Sequence, residues 1–472
     1  MIFNSAVFLV FIALFFAFWP LAKRRNNPRW IYITIASFIF YGWWDWRFLF
    51  LLIFSGMVDY LTAIGMEKTP EHKKLFLYLS LSGNLGSLFI FKYSGFAAHE
   101  LDYILNIAGV HFELYSHIPP FALILPIGIS FYTFQSLNYI IDVYHGQLKA
   151  TRNIFHFFAY LSLFPHLVAG PILRARSMLP QMKELHIPAE TEIWEGTKLI
   201  ASGFFKKMVI ADNLAPFVNE AFNNPLQSTH TIYNWTAVVF FALQIYYDFS
   251  GYSNIAIGLL RWMGYGVPAN FNHPYVAASL REFWQRWHIS LSTWFRDYVY
   301  IPLGGSETRG WRGPNANMWI TMLLSGLWHG ASLNFVIWGA LHAAFLHFER
   351  ITSWPERLKK FAAGHYIAII FTMFQVLIAW VFFRCMDYHR AFDMLGYMLL
   401  PHFTGASGLG FKHLLLLLLA VLPELLYSFD FNLQHKIPQG IYSYAEVGGV
   451  AFLLVMCVYL RGPGLQFIYF QF

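Results

Sequence analysis

Charge is what this chain has least of. Of its 472 residues only 12% are Asp, Glu, Lys or Arg, about half the usual share of a soluble domain. So few ionic groups cannot cover a water-facing surface of this size, and a soluble globular fold is excluded. Cysteine is scarcer still: Cys385 and Cys457 are the whole complement. Each sits in an apolar stretch, so a disulfide framework is excluded and both are read as buried thiols. Strand-length alternation is missing as well, which leaves helices as the way to satisfy the backbone in lipid. No polar connection is long enough to fold alone and no internal repeat is visible, so residues 1–472 are read as a single membrane-embedded domain.

What is abundant is apolar and aromatic: 57% of the residues are hydrophobic and 20% are Phe, Trp or Tyr. Runs over 4–21, 30–40, 49–66, 75–93, 120–141, 154–168, 232–260, 318–348, 366–383, 391–400, 413–429 and 447–460 predict an all-α integral membrane protein. At about 20 apolar residues per span they amount to about 10–12 transmembrane helices. The net charge of +7 is spread between the runs, as expected for charges flanking membrane helices rather than a nucleic-acid surface. The first run has no basic leader and no small-residue cleavage site, so it is read as an uncleaved helix. Lys23, Arg24, Arg25 and Arg29 follow it and are expected on the cytoplasmic side, which puts the N-terminus outside. Between the runs, 173–195 is read as a polar loop. The amphipathic stretch 194–211, with Lys198, Lys206 and Lys207, is expected to lie along the cytoplasmic interface.

Two places break the apolar pattern. Residues 281–305, REFWQRWHISLSTWFRDYVYIPLGG, are aromatic and dense in charge together. Arg281, Glu282, Arg286, Arg296 and Asp297 would be costly facing lipid, so buried or re-entrant polar structure is expected there. The second is LWHGASLN at 327–334, which puts His329 in the middle of an apolar segment. An ionisable group at such a place points to function, although a hydrogen-bonded structural histidine would look the same. His288, 41 residues earlier, is either a second site residue or an interface residue. Neither histidine has an HExxH-type or HxxxH-type partner, so no metal is expected.

The chemistry these residues suit is narrow. Neutral imidazole, with a pKa of about 6.5, can take a proton from an alcohol at neutral pH. There is no GxSxG elbow to supply a covalent serine, so direct transfer to a hydroxyl is indicated, with histidine as the base. The oxyanion of an acyl-transfer transition state needs donors, and Arg286, His288 or the backbone near Gly330 could provide them. Asp248 and Asp297 are read first as partners of a nearby arginine or tyrosine and second as groups that orient a histidine.

Seven stretches then carry a resemblance: LPIGISFYTFQSLNYIIDVY from Leu125, FPHLVAGPI from Phe164, FFKKMVIADNLA from Phe204, YYDFSGYSNIAIG from Tyr246, FWQRWHISLSTWFRDYVYIPLGG from Phe283, SGLWHGAS from Ser325 and FIYFQF from Phe467. Together they resemble the membrane-bound O-acyltransferases, in particular the bacterial branch that O-acetylates alginate and peptidoglycan. His166, Gln285, Asn254 and the SLNF after WHGA depart from the common pattern, which bears on subfamily and acceptor. The resemblance implies a helical bundle with re-entrant segments and a central tunnel. His329 would be the catalytic base and His288 the second site residue, with Arg281, Arg286, Arg296 and Asp248 as the candidate donor-binding set. It further implies acetyl-CoA or another acyl thioester as donor substrate, with no tightly bound cofactor. The acceptor would be a polysaccharide outside the inner membrane, reached through a periplasmic or surface esterase-like partner. Transfer of D-alanine from an acyl carrier protein to teichoic acid is the nearest alternative, and a transporter or flippase without catalysis is the rival of another class.

Overall fold

The computed structural model describes residues 1–167, 170–224, 230–307, 313–385, 387–403, 410–428 and 439–470. Among these the regular structure is entirely helical, as the missing alternation requires. The described contacts divide the chain into two compact units, Met1–Gly196 with Ala256–Val267, and Thr197–Ile255 with Pro268–Phe472.

In the first unit the helix Ala6–Ala22 is capped by Ser5, whose Oγ accepts from the Phe8 amide at 3.2 Å. Phe8, Phe15 and Trp19 are buried on one face, whereas Leu9, Val10, Leu14, Phe18 and Leu21 lie exposed on the other. A helix that is apolar all round and half uncovered suits lipid, not water. Trp43, Trp44 and Trp46 are exposed beyond the helix Asn26–Gly42, where an aromatic belt belongs. Arg29, the last of the basic cluster, is buried: it is 3% exposed and donates to the Met182 carbonyl at 2.5 Å and to Asn26 Oδ1 at 2.6 Å. It stitches its helix to Ala175–Lys183.

Among the described residues three helices are long and apolar enough to cross a membrane: Arg47–Lys68, the run Pro70–Ile107, and Gly364–Arg384. Ala6–Ala22 and Ser443–Tyr459 are apolar but shorter. These helices fit a multi-pass membrane protein, while several expected spans are broken. The run 120–141 becomes a 3-10 turn, Pro120–Leu123, and a helix that starts only at Ile129. The run 318–348 becomes Gly313–His329 and Leu333–Thr352.

In the second unit the stretch expected along the interface turns inward. Lys207 is 1% exposed, on a π-helical segment Phe205–Ala211, and Lys198 pairs with Glu446 at 2.8 Å. The core gathers around Phe241, Tyr246, Trp287, Trp338, Trp380 and Phe383. Residues 281–305 form two short helices, Leu280–Arg286 and Ile289–Phe295, followed by a π turn at Arg296–Tyr300. Their aromatics go inside and much of the charge goes out: Phe283, Trp287, Trp294 and Phe295 are buried, while Arg281 and Arg296 are exposed. The expectation of buried charge over this stretch is corrected in that respect: Arg281 and Arg296 lie on the surface of the protein, not inside it.

Candidate active site

His329 is the last residue of the helix Gly313–His329. The chain must reverse immediately after it, because Ser332 caps the returning helix Leu333–Thr352 in extended conformation. The two helices approach backbone to backbone. A Cβ on Gly326 would strike the Phe335 carbonyl, and one on Gly339 would come within 2.5 Å of the Met322 carbonyl. Only small residues allow this kind of packing. The imidazole of His329, 5% exposed, is walled by Trp328, Trp338, Phe383 and Tyr469, with ring centres at 4.9, 5.0, 5.1 and 5.7 Å.

His288 is fully buried and sits at the junction of the two short helices with φ +41° and ψ 56°. A left-handed residue other than glycine costs about 1–3 kcal/mol and persists only when its surroundings enforce it. Asn270 does the enforcing. Its Oδ1 accepts from the Ser290 amide at 3.1 Å and from Ser290 Oγ at 2.8 Å, and its backbone carbonyl accepts from the Ile289 amide at 2.8 Å. Its Nδ2 donates to Ser253 Oγ at 3.2 Å.

These bonds favour one tautomer. Oδ1 is an acceptor because it receives a backbone N–H, and a hydrogen on His288 Nδ1, 3.2 Å away, suits it, which leaves the lone pair of a neutral ring on Nε2.

The two histidines share their aromatic surroundings. Trp328, which touches His329, also lies 6.3 Å from His288. Phe249 lies 4.5 Å from His288 and 4.6 Å from Tyr469, which in turn faces His329. The walls are rings rather than charges, so a dipole or hydrogen bond there acts with little screening.

Asp248, one residue before Phe249, pairs with a lysine where an arginine or tyrosine is expected. Its Oδ1 meets Lys207 Nζ at 2.9 Å, and its Oδ2 accepts from the Ile468 amide at 2.8 Å. Lys207 also reaches Asp212 Oδ1 at 2.8 Å and donates to the Leu465 carbonyl at 3.1 Å. The ammonium thus faces three oxygens, two of them carboxylate. The group holds the stretch that brings Tyr469 to His329.

The three arginines are differently placed. Arg286 pairs with Glu282 at 2.8 Å and stacks against Tyr427. Arg296 pairs with Asp297 at 2.8 Å. Arg281 uses its backbone amide toward Glu349 and leaves its side chain exposed.

Sequence reasoning did not single out Asn270, Phe249 or Tyr469, and it read Lys207 as an interfacial lysine, not as part of the site. Asn270 stands in a Pro, Asn and His-rich turn that advertises only a loop. Lys207 did carry a signal, a lysine inside the apolar stretch FFKKMVIA, which an intramembrane charge makes informative.

The fold and site define a helical membrane protein with two buried histidines enclosed by aromatic rings. Residues 147–387 match the membrane-bound O-acyltransferase family. A probable alginate O-acetylase of Pseudomonas putida is 39% identical over 406 residues, 84% of this chain and 80% of its own length. The chain therefore belongs to the membrane-bound O-acyltransferase family. A peptidoglycan O-acetyltransferase of Helicobacter pylori is 32% identical over 88% of this chain and 82% of its own. A teichoic acid D-alanyltransferase of Bacillus subtilis is 28% identical over 58% and 72%.

Proposed function

We propose that this protein moves a short acyl group, acetyl in the first instance, from a cytoplasmic thioester toward a hydroxyl of a cell-envelope or exported polysaccharide. The observation that carries this reading is the convergence of His288 and His329, distant in sequence, on one set of aromatic side chains. His329 acts as general base on the attacking hydroxyl. The new C–O bond forms as the C–S bond breaks, and the proton held by the imidazole passes to the departing thiolate. With Nδ1 committed to Asn270, neutral His288 presents a lone pair at Nε2. That suits it to align the hydroxyl rather than to polarise the thioester carbonyl.

A multi-pass inner-membrane location, a tunnel reaching the histidines from the cytoplasmic side and re-entrant backbone over 281–305 belong to the same reading. Arg281 and Arg296, exposed, are available to the phosphates of a coenzyme donor. An esterase-like partner on the far side would pass the acyl group on. Identities to alginate and peptidoglycan O-acetylating proteins over more than four-fifths of the chain favour acetyl over alanyl, whose named relative matches 58%.

The test is release of thiol and movement of label from [acyl-14C]acetyl-CoA by the protein in proteoliposomes, with partner and polysaccharide supplied. Wild type should release thiol and transfer label, and His329→Ala should fall to background while still binding donor. Silence with acetyl-CoA but turnover with an alanyl carrier protein would move the substrate to D-alanine. Silence with both donors would overturn the enzyme reading in favour of a transporter.

A further inference from the structure

We propose that the first unit holds a monovalent cation of sodium's size between three of its helices, at a site built on Asp59. Asp59 lies in the membrane-length helix Arg47–Lys68 and is 0% exposed. Its Oδ1 accepts from Ser80 Oγ at 2.6 Å and from Asn84 Nδ2 at 2.8 Å, both on the helix Lys73–Leu88. Its Oδ2 has no hydrogen bond of ordinary geometry among the described residues, and Ser136, on the helix Ile129–Tyr144, is close enough to interact with the carboxyl.

A row of neutral oxygens continues from there. Ser55 Oγ, one helical turn before Asp59, lies 2.5 Å from Asn84 Oδ1 and 3.5 Å from Ser136 Oγ. Ser55 is 2% and Asn84 1% exposed, and Ser136 is fully buried. Each of the three helices therefore turns polar side chains toward one carboxylate inside an apolar bundle.

Both donors on Oδ1 are bonds that an ionised carboxylate can accept. An ionised carboxylate at membrane depth needs a countercharge, yet no arginine, lysine or histidine forms an ion pair with Asp59 among the described residues. Hard cations take oxygen ligands, and Asp59 Oδ2, Ser136 Oγ and Ser55 Oγ are the oxygens offered beside the carboxyl, Ser55 Oγ turning its hydrogen to Asn84 Oδ1. One carboxylate balances one positive charge, so a monovalent ion leaves the group neutral. A divalent ion would leave an excess charge, and no cluster of three or more His, Cys, Asp or Glu side chains occurs among the described residues to absorb it.

The site lies wholly in the first unit and its test does not depend on acyl transfer. Purified protein in nanodiscs, prepared in choline chloride, is titrated with 22Na+ in a scintillation-proximity assay, and its melting temperature is followed in NaCl against KCl and choline chloride at constant ionic strength. Wild type should bind about one sodium per chain saturably, with a melting temperature that rises with sodium and less with potassium. Asp59→Asn, nearly isosteric, should abolish both responses while remaining monodisperse. Ser136→Ala and Ser55→Ala, which keep the charge, should weaken sodium at least tenfold. Absence of saturable sodium binding by monodisperse wild type would overturn the proposal and assign Asp59 a proton instead. So would equal melting in all three salts, or sodium binding that survives Asp59→Asn.

Discussion

Replacing Asn270 by alanine tests the argument for the His288 tautomer and its strained backbone. The substitution removes an acceptor shared by His288 Nδ1, the Ser290 amide and Ser290 Oγ, and a donor to Ser253 Oγ. An oxygen has two lone pairs, so the loss amounts to two full accepted bonds and one donated bond, each worth about 1 kcal/mol net. The Ser290 amide belongs to the first turn of its helix and loses its cap, at about another 1 kcal/mol. Relaxation of His288 out of the left-handed region returns about 1–3 kcal/mol. The net destabilisation is therefore only about 1–3 kcal/mol, and the protein should stay folded. Catalysis should suffer far more, because a 1 Å displacement of a reacting group costs roughly 100-fold. Thiol release in proteoliposomes should show kcat down roughly 100-fold with donor KM nearly unchanged. Asn270→Asp, which keeps the acceptor oxygen, should recover much of that rate. A folded Asn270→Ala with wild-type kcat would refute the reasoning, since His288 would then need no anchor.

Other outcomes follow from the same geometry. Lys207→Met leaves Asp212 and Asp248 buried without their cation and should cost about 3–5 kcal/mol, read as a lower melting temperature by fluorescence-detected size exclusion; an unchanged melt would mean that the group holds nothing. Arg281→Ala should raise KM for a phosphate-bearing donor without moving the melting temperature, because its side chain is exposed. Wild-type KM would remove Arg281 from donor binding. Disrupting the exposed Arg296–Asp297 pair by Asp297→Asn should change stability by less than about 1 kcal/mol, checked by the same melt. His288→Ala should lower kcat while His288→Gly, which relieves the left-handed strain, should melt higher than His288→Ala.

Much of the architecture was legible because apolar run length and the absence of alternation are properties of single segments. The breaks were legible too: the helix ends at His329 where WHGA interrupts the run. Less legible were the places where partners come from far apart. Asp248 could be seen as a buried acid, but its cation stands 41 positions earlier at Lys207, and no local periodicity joins them. The polarity of 281–305 suggested burial of the whole stretch. A pair of short helices can instead turn Phe283 and Trp287 inward and Arg281 outward, a division that composition alone does not show. Of the site, the two histidines were found, whereas Asn270 was hidden because an asparagine in a turn has an ordinary local explanation.

The glycine contact beside His329 makes the site tunable from outside itself. Gly326 and Gly339 bring main chain against main chain, with no side chain between them to yield, and His329 stands one helical turn beyond Gly326. A larger residue at 326 must therefore tilt the helix and carry the imidazole with it. A graded series at this position, from alanine through serine to valine, acts as a mechanical vernier. Turnover should follow the added volume and ignore its polarity, so a lineage could adjust how its acyl and hydroxyl groups meet without altering any residue that touches them.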